Sequence, residues 1–314
     1  MIPTEPIGRI PRPVLLIEAV EQLGDHDHPS LELLYEEAIS DTIQRFEATG
    51  SPVITDGEQR KYHNFWAYCV HGSKNTAPDG FRIPFTAGHV RRMPRLTEGP
   101  FRYKVRADSY LDVAKRYAKK PVKQAVISPS ALSLMYPAEN IEGYSREQFI
   151  NDLLREHELE IRSCLAKAAH KVQIDFTEAR LAIKLDPSGH LLNSFIALNN
   201  LALSRFSAEE RQRLGVHTCP GRDLDSTHSA DVDYAELLPG LFELRAGNFY
   251  IALAREKDRE RVLKMIRKYL KPDQPAFVGV VSPIDPREET PEQVRDRILE
   301  AAKYIPLDQL GNHG

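Results

Sequence analysis

Two residues one position apart, His217 and Cys219 in "GVHTCPGRD", have the donor chemistry of half a metal site. A neutral imidazole and a thiolate are good zinc ligands, and zinc prefers four donors in a tetrahedron. The bland alternative is a small buried cysteine beside a hydrogen-bonded histidine, and the spacing alone leaves both open. Asp223, Asp225 and His228 follow closely and offer other donors, although they read more simply as loop polar groups and caps before a helix at 231–239. Carboxylates recur in similar settings: Asp56 and Glu58 in "PVITDGE", Asp175 and Glu178 in "KVQIDFTE", and Asp285 after "AFVGVVSP". Charged groups at the ends of apolar runs are costly unless paired or used.

The elements that would position these residues are legible from periodicity. "PVITDGE" (52–58), "QAVISPS" (124–130), "KVQIDFTE" (171–178), "RLGVHTC" (213–219), "NFYIALA" (248–254) and "AFVGVVSP" (276–283) read as buried strands. Segments of helical period lie between them, at 31–49, 146–170, 258–270 and 291–304, with Pro291 suited to a first helical turn. Adding "PIGRI" near the start and "IPLDQL" near the end gives eight strands. The expected fold is α/β, a (βα)8 TIM barrel forming one domain over 1–314. Strand ends in a barrel point into one mouth, so Glu58, Asp175, His217, Cys219 and Asp285 should gather there. Residues 72–107, with a possible hairpin "GFRIPFTAGHVRRM", read as an insertion after the second strand. It would be either a flap over the mouth or a plain surface loop.

With 41% hydrophobic residues and a net charge of −3, the 314-residue chain resembles ordinary globular proteins. Interspersed charges give no reason to expect nucleic acid or an anionic membrane as partner. No apolar run reaches transmembrane length, and the start lacks a signal-peptide pattern. Three well-separated cysteines argue against a disulfide framework. The expected setting is cytoplasmic, with Cys69 and Cys164 as core thiols and Trp66 as a packing residue. Composition does not indicate an oligomeric state.

"IGRIPRP", "VITDGEQRKYHNF", "VISPSALSLMYP", "VQIDFTEARLA", "HTCPG" and "FVGVVSPIDPREETPEQVRDRI" resemble, in order and spacing, the cobalamin-independent methionine synthase family. The likeness is greatest to the shorter single-barrel relatives of its catalytic half and spans about residues 5–311. It implies a methyltransferase that moves a methyl group to a zinc-activated thiol such as homocysteine, with methyl-folate as a possible donor. His217 and Cys219 would be metal ligands. Glu58 and Asp175 would hold the substrate ammonium, and Ile7 and Gly8 would offer backbone to its carboxylate, with Arg9 as an added charge.

The chain also departs from the family pattern. The family's third ligand, a glutamate ending strand six, meets Ala252 and Leu253 here, with Glu256 a turn later and Glu243 earlier. Its final Cys-Gly ligand motif is missing, and His313 is the one nearby donor, expected to fray at the terminus. Asp285 stands near the place of the catalytic histidine. Met135 and Tyr136 lie near the aromatic that stacks on folate. These departures feed two alternatives: a barrel with different thiol or carbon chemistry, or a degenerate barrel that binds a small amino acid.

Overall fold

The computed structural model describes residues 2–61, 66–223, 226–283, 285 and 287–314. Its centre is a six-stranded parallel sheet. In spatial order the strands are Leu310–His313, Ala276–Gly279, Asn248–Ile251, Leu214–Thr218, Val172–Asp175 and Gln124–Ile127. Every pair is parallel, because a helix connects each strand to the next. All six strands are buried along their whole length.

The ladder has six strands, not the eight expected. At one edge Thr4 makes a single parallel bridge to Asn312, and at the other Ile54 bridges Val122. The two outer segments meet, since Ile10 N donates to Gly57 O at 3.1 Å and Thr55 Oγ1 donates to Gly8 O at 3.0 Å. The last strand begins at Leu310, where "IPLDQL" was expected to end. Leu310, Gly311, Asn312 and His313 are all buried. The expectation that His313 frays is therefore wrong, because pairing with Ala276–Gly279 holds the strand to its end.

Helices follow the expected periods with shorter bounds: Glu32–Ala48, Arg146–Ala166, Arg259–Tyr269 and Pro291–Ala302. Ser145 with Gln148 and Thr290 with Gln293 form capping boxes that satisfy the orphan amides of two of them. The helix expected at 231–239 runs Tyr234–Leu241 and is capped by Asp233. Within 72–107, Arg82–Pro84 pairs antiparallel with Val90–Arg92, the hairpin read from the sequence. Among the described residues no helix is long and apolar enough to cross a membrane. All three cysteines are free, with Cys69 and Cys164 buried and Cys219 half-buried.

Two glycines make the interior possible. A Cβ on Gly215 would lie 2.5 Å from the Tyr250 ring, and one on Gly311 would lie 2.3 Å from the Phe277 ring. Those rings, register partners on adjacent strands, stack at 4.7 Å. Beside them is a buried charge network. Glu5 accepts from Lys171 Nζ at 2.6 Å and from Tyr250 OH, and it lies 3.7 Å from Lys123 Nζ. Lys123 also sits 4.0 Å over the Tyr250 ring. Burial pushes Glu5 up, but His170, Lys123 and Lys171 outweigh it and hold the carboxyl at about 2. Burial brings the Lys123 ammonium down to about 7.

Candidate functional site

Strand register brings the candidate residues together. Asp175 ends its strand directly opposite His217. His217 Nδ1 and Asp175 Oδ1 are 3.0 Å apart, and Gln173 Nε2 donates to the same carboxylate oxygen at 2.8 Å. The next inward position along the His217 strand is Cys219, whose thiol is hydrogen-bonded to the imidazole. Burial opposes a charge on His217, yet Cys219 and Asp175 together raise it to about 10. A carboxylate, an imidazole and a thiol thus form a chain along adjacent strand ends.

His313 approaches from the last strand. Its ring lies 6.3 Å from that of His217, nearly perpendicular, and neither nitrogen makes a well-formed hydrogen bond. Gly279 leaves it room, since a Cβ there would fall 3.1 Å from His313 Cε1. Burial, then the charges of His217 and Lys123, hold His313 well below the usual imidazole range, so it is neutral.

Glu58 occupies the other side. It has a left-handed backbone, φ +54°, after Gly57 at +69°, and its amide is held by Asp56 Oδ1 at 2.9 Å. A Cβ on Gly8 would lie 2.6 Å from Glu58 Oε1, so the bare glycine gives this carboxylate its place. Ile7, beside it, is half-buried. Sequence reasoning missed Lys61. This buried ammonium is 3.5 Å from Glu58 Oε2 and donates to Ala125 O at 2.7 Å. Burial opposes its charge, but Glu58, Asp56, Asp175 and Glu160 raise its pKa above the ordinary value. Lys61 therefore links the Glu58 and Asp175 regions electrostatically. Asp56 is pushed up by burial.

The other candidates have partners of their own. Asp285 pairs with Arg287 at 3.0 Å and Arg255 at 3.6 Å, and Arg287 holds its carboxyl down at about 2. Glu178 is the first residue of the helix Glu178–Leu185, not the end of a strand. It is buried against Ser128 and Ser130, and burial raises it to about 7. Trp66 donates to Thr177 Oγ1 and is a packing residue. Asp225 and the side chain of Asp223 lie outside the described residues. His228 is buried and stacks edge-on against Phe85 at 5.5 Å.

Donor chemistry favours zinc at His217 and Cys219, and the open nitrogens of His313 lie nearby. Among the described residues, however, no three His, Cys, Asp or Glu side chains converge to hold a metal ion. Among the described residues a complete protein-held tetrahedron is not assembled.

Solved structures share this architecture. A B12-independent methionine synthase from Shewanella sp. W3-18-1, in complex with selenomethionine, aligns over 100% of this chain and 90% of its own, with a TM-score of 0.76 and 18% identity. A Listeria monocytogenes protein provisionally named a vitamin-B12-independent methionine synthase aligns over 100% and 91%, with a TM-score of 0.71 and 20% identity. A methyltransferase from Methanosarcina mazei aligns over 99% and 87%, with a TM-score of 0.51 and 12% identity. No sequence family and no curated protein matches the chain. The chain has the fold of the B12-independent methionine synthases, which agrees with the resemblance read from its motifs.

Proposed function

We infer that the protein is a methyltransferase that moves a methyl group to the thiol of a small amino acid such as homocysteine. The observation that carries this reading is the linkage of Asp175, His217 and Cys219 along adjacent strand ends. Asp175 fixes the ring of His217 through Nδ1, and His217 in turn orients the Cys219 thiol. Glu58 and Asp175 bind the substrate ammonium. Asp56, Glu58 and Asp175 bring three carboxyl groups to a region beside one buried lysine, Lys61, which favours one further positive charge. The backbone at Ile7 and Gly8 receives the substrate carboxylate. The Shewanella neighbour was captured with selenomethionine, a methylated amino acid, which supports an amino acid in this pocket.

The zinc implied by the resemblance would rest on His217 and Cys219, where it would keep a bound thiol deprotonated and nucleophilic at neutral pH. In the transfer itself the substrate sulfur forms a bond to the methyl carbon while the donor's bond to that carbon breaks. The donor takes up a proton, and methyl-folate is the donor class that the resemblance favours. Asp285, on the loop after the strand Ala276–Gly279, is paired with Arg287 and Arg255 and held deprotonated, so it is not the source of that proton.

A second reading, a degenerate barrel that binds an amino acid without turnover, is favoured because no three donors converge among the described residues. Incubation with homocysteine and a 13C-methyl donor separates the two. New S-methyl signal that requires Cys219 supports methyl transfer, whereas homocysteine binding without signal supports the degenerate barrel.

A further inference from the structure

The segment that follows Cys219 is fastened to the hairpin of residues 82–92. Ser229 N donates to Pro220 O at 3.1 Å, Ser229 Oγ donates to the same carbonyl at 3.2 Å, and His228 N donates to Gly221 O at 3.2 Å. His228 Nδ1 is 2.7 Å from Ser229 Oγ, so the ring is held from its own chain. The ring covers Gly221 so closely that a Cβ there would fall 1.7 Å from His228 Nε2. Gly221 also has φ +68°, which glycine adopts without strain. On its far side His228 meets Phe85 of the hairpin. Phe85 is buried under its neighbour His89, stacked at 4.8 Å. Two further bonds tie the same elements: Thr86 N donates to Thr227 O at 3.0 Å, and Thr227 N donates to Thr86 Oγ1 at 3.3 Å.

We propose that the hairpin Arg82–Arg92 is a cover over Cys219, and that His228 is the positioning residue that latches it to Pro220 and Gly221. The hairpin and the segment after Cys219 are joined by that buried ring and by the pair of threonines. Opening swings Phe85 off His228 and exposes the thiol. Closing shields it from water, which suits a sulfur-centred reaction. This inference goes beyond the assignment of methyl transfer and holds for any chemistry at Cys219.

The thiol itself reports the state of the latch. Cys69 and Cys164 are buried and Cys219 is half-buried, so a colourless-to-coloured disulfide exchange reagent reads Cys219. Chelator keeps a bound metal from supplying the protection, and Cys219→Ser gives the blank. In the unmodified protein, labelling should keep pace with amide exchange at Thr86 and Thr227, all three limited by one opening event. Phe85→Ala should label Cys219 at least tenfold faster while the buried Cys69 and Cys164 stay unlabelled, and Gly221→Ala should do the same by displacing the ring. Combining Gly221→Ala with His228→Ala should label no faster than His228→Ala alone, since the collision has gone. If Cys219 reacts as a free thiol while the Thr86 and Thr227 amides stay protected, the hairpin is not its cover. That comparison needs no variant to fold. Additive effects of Gly221→Ala and His228→Ala would remove His228 from the latch.

Discussion

Asp175 and His217 are direct register neighbours on adjacent parallel strands, and their side chains meet at 3.0 Å. A one-residue slip between those strands would turn one of them out toward the helices. The contact therefore depends on the whole sheet, while Gln173 steadies Asp175 from within its own strand.

Replacing Asp175 with Asn or Glu58 with Gln keeps the shape and removes the charge. Each change should weaken binding of a thiol amino acid by about ten- to a hundredfold, the worth of a charge-assisted hydrogen bond. Calorimetric titration with homocysteine checks it. Unaltered affinity in both variants would take the ammonium away from these carboxylates.

Gly8 tests the same pocket without touching a charge. A methyl group at this position meets Glu58 Oε1 at 2.6 Å and displaces the carboxylate. Gly8→Ala should reduce amino-acid affinity about tenfold with little loss of thermal stability. Full affinity would mean that the placement of Glu58 is immaterial.

Much of this was readable in the sequence. The apolar runs gave five of the six buried strands, while "PVITDGE" contributes a single bridge at Ile54; helical periods gave the helices between them, and "GFRIPFTAGHVRRM" gave the hairpin Arg82–Arg92. "H-T-C" was correctly set on a strand end. What escaped depends on contacts between distant segments. Lys61 looked like one more polar residue after "DGE", because its burial comes from Ala125 and Glu160, far along the chain. Glu5, Lys123 and Lys171 meet across separations that periodicity does not register. His313 escaped because its burial comes from parallel pairing with Ala276–Gly279, which the short polar "LGNH" does not reveal.

Glu5 supplies a pH dependence. Its folded pKa of about 2 lies below the ordinary 4.5. Its contribution is thus fully present above pH 4.5 and is lost as pH falls toward 2. The groups facing it, His170, Lys123, Lys171 and Tyr250, make this contribution about 3 kcal/mol. Glu5→Gln should lower unfolding stability at pH 7 by about that amount and flatten the acid limb of the stability curve. Parallel pH curves for the two proteins, from denaturant titrations, would contradict the network.

Gly215 probes the packing beneath the site. Gly215→Ala sets a methyl group 2.5 Å from the Tyr250 ring, and overpacking of this kind costs about 1–3 kcal/mol. The denaturation midpoint should fall accordingly. A midpoint equal to that of the parent would mean that the ring has room to move.

The most direct test of the account is zinc titration with and without homocysteine, in the parent protein and in Cys219→Ser. Two protein donors hold zinc weakly, and a substrate thiolate adds a third. The account predicts zinc affinity at least tenfold higher with homocysteine in the parent, and no such gain in Cys219→Ser. Equal affinity with and without the thiol, unchanged by Cys219→Ser, would contradict a thiol-activating site at His217 and Cys219.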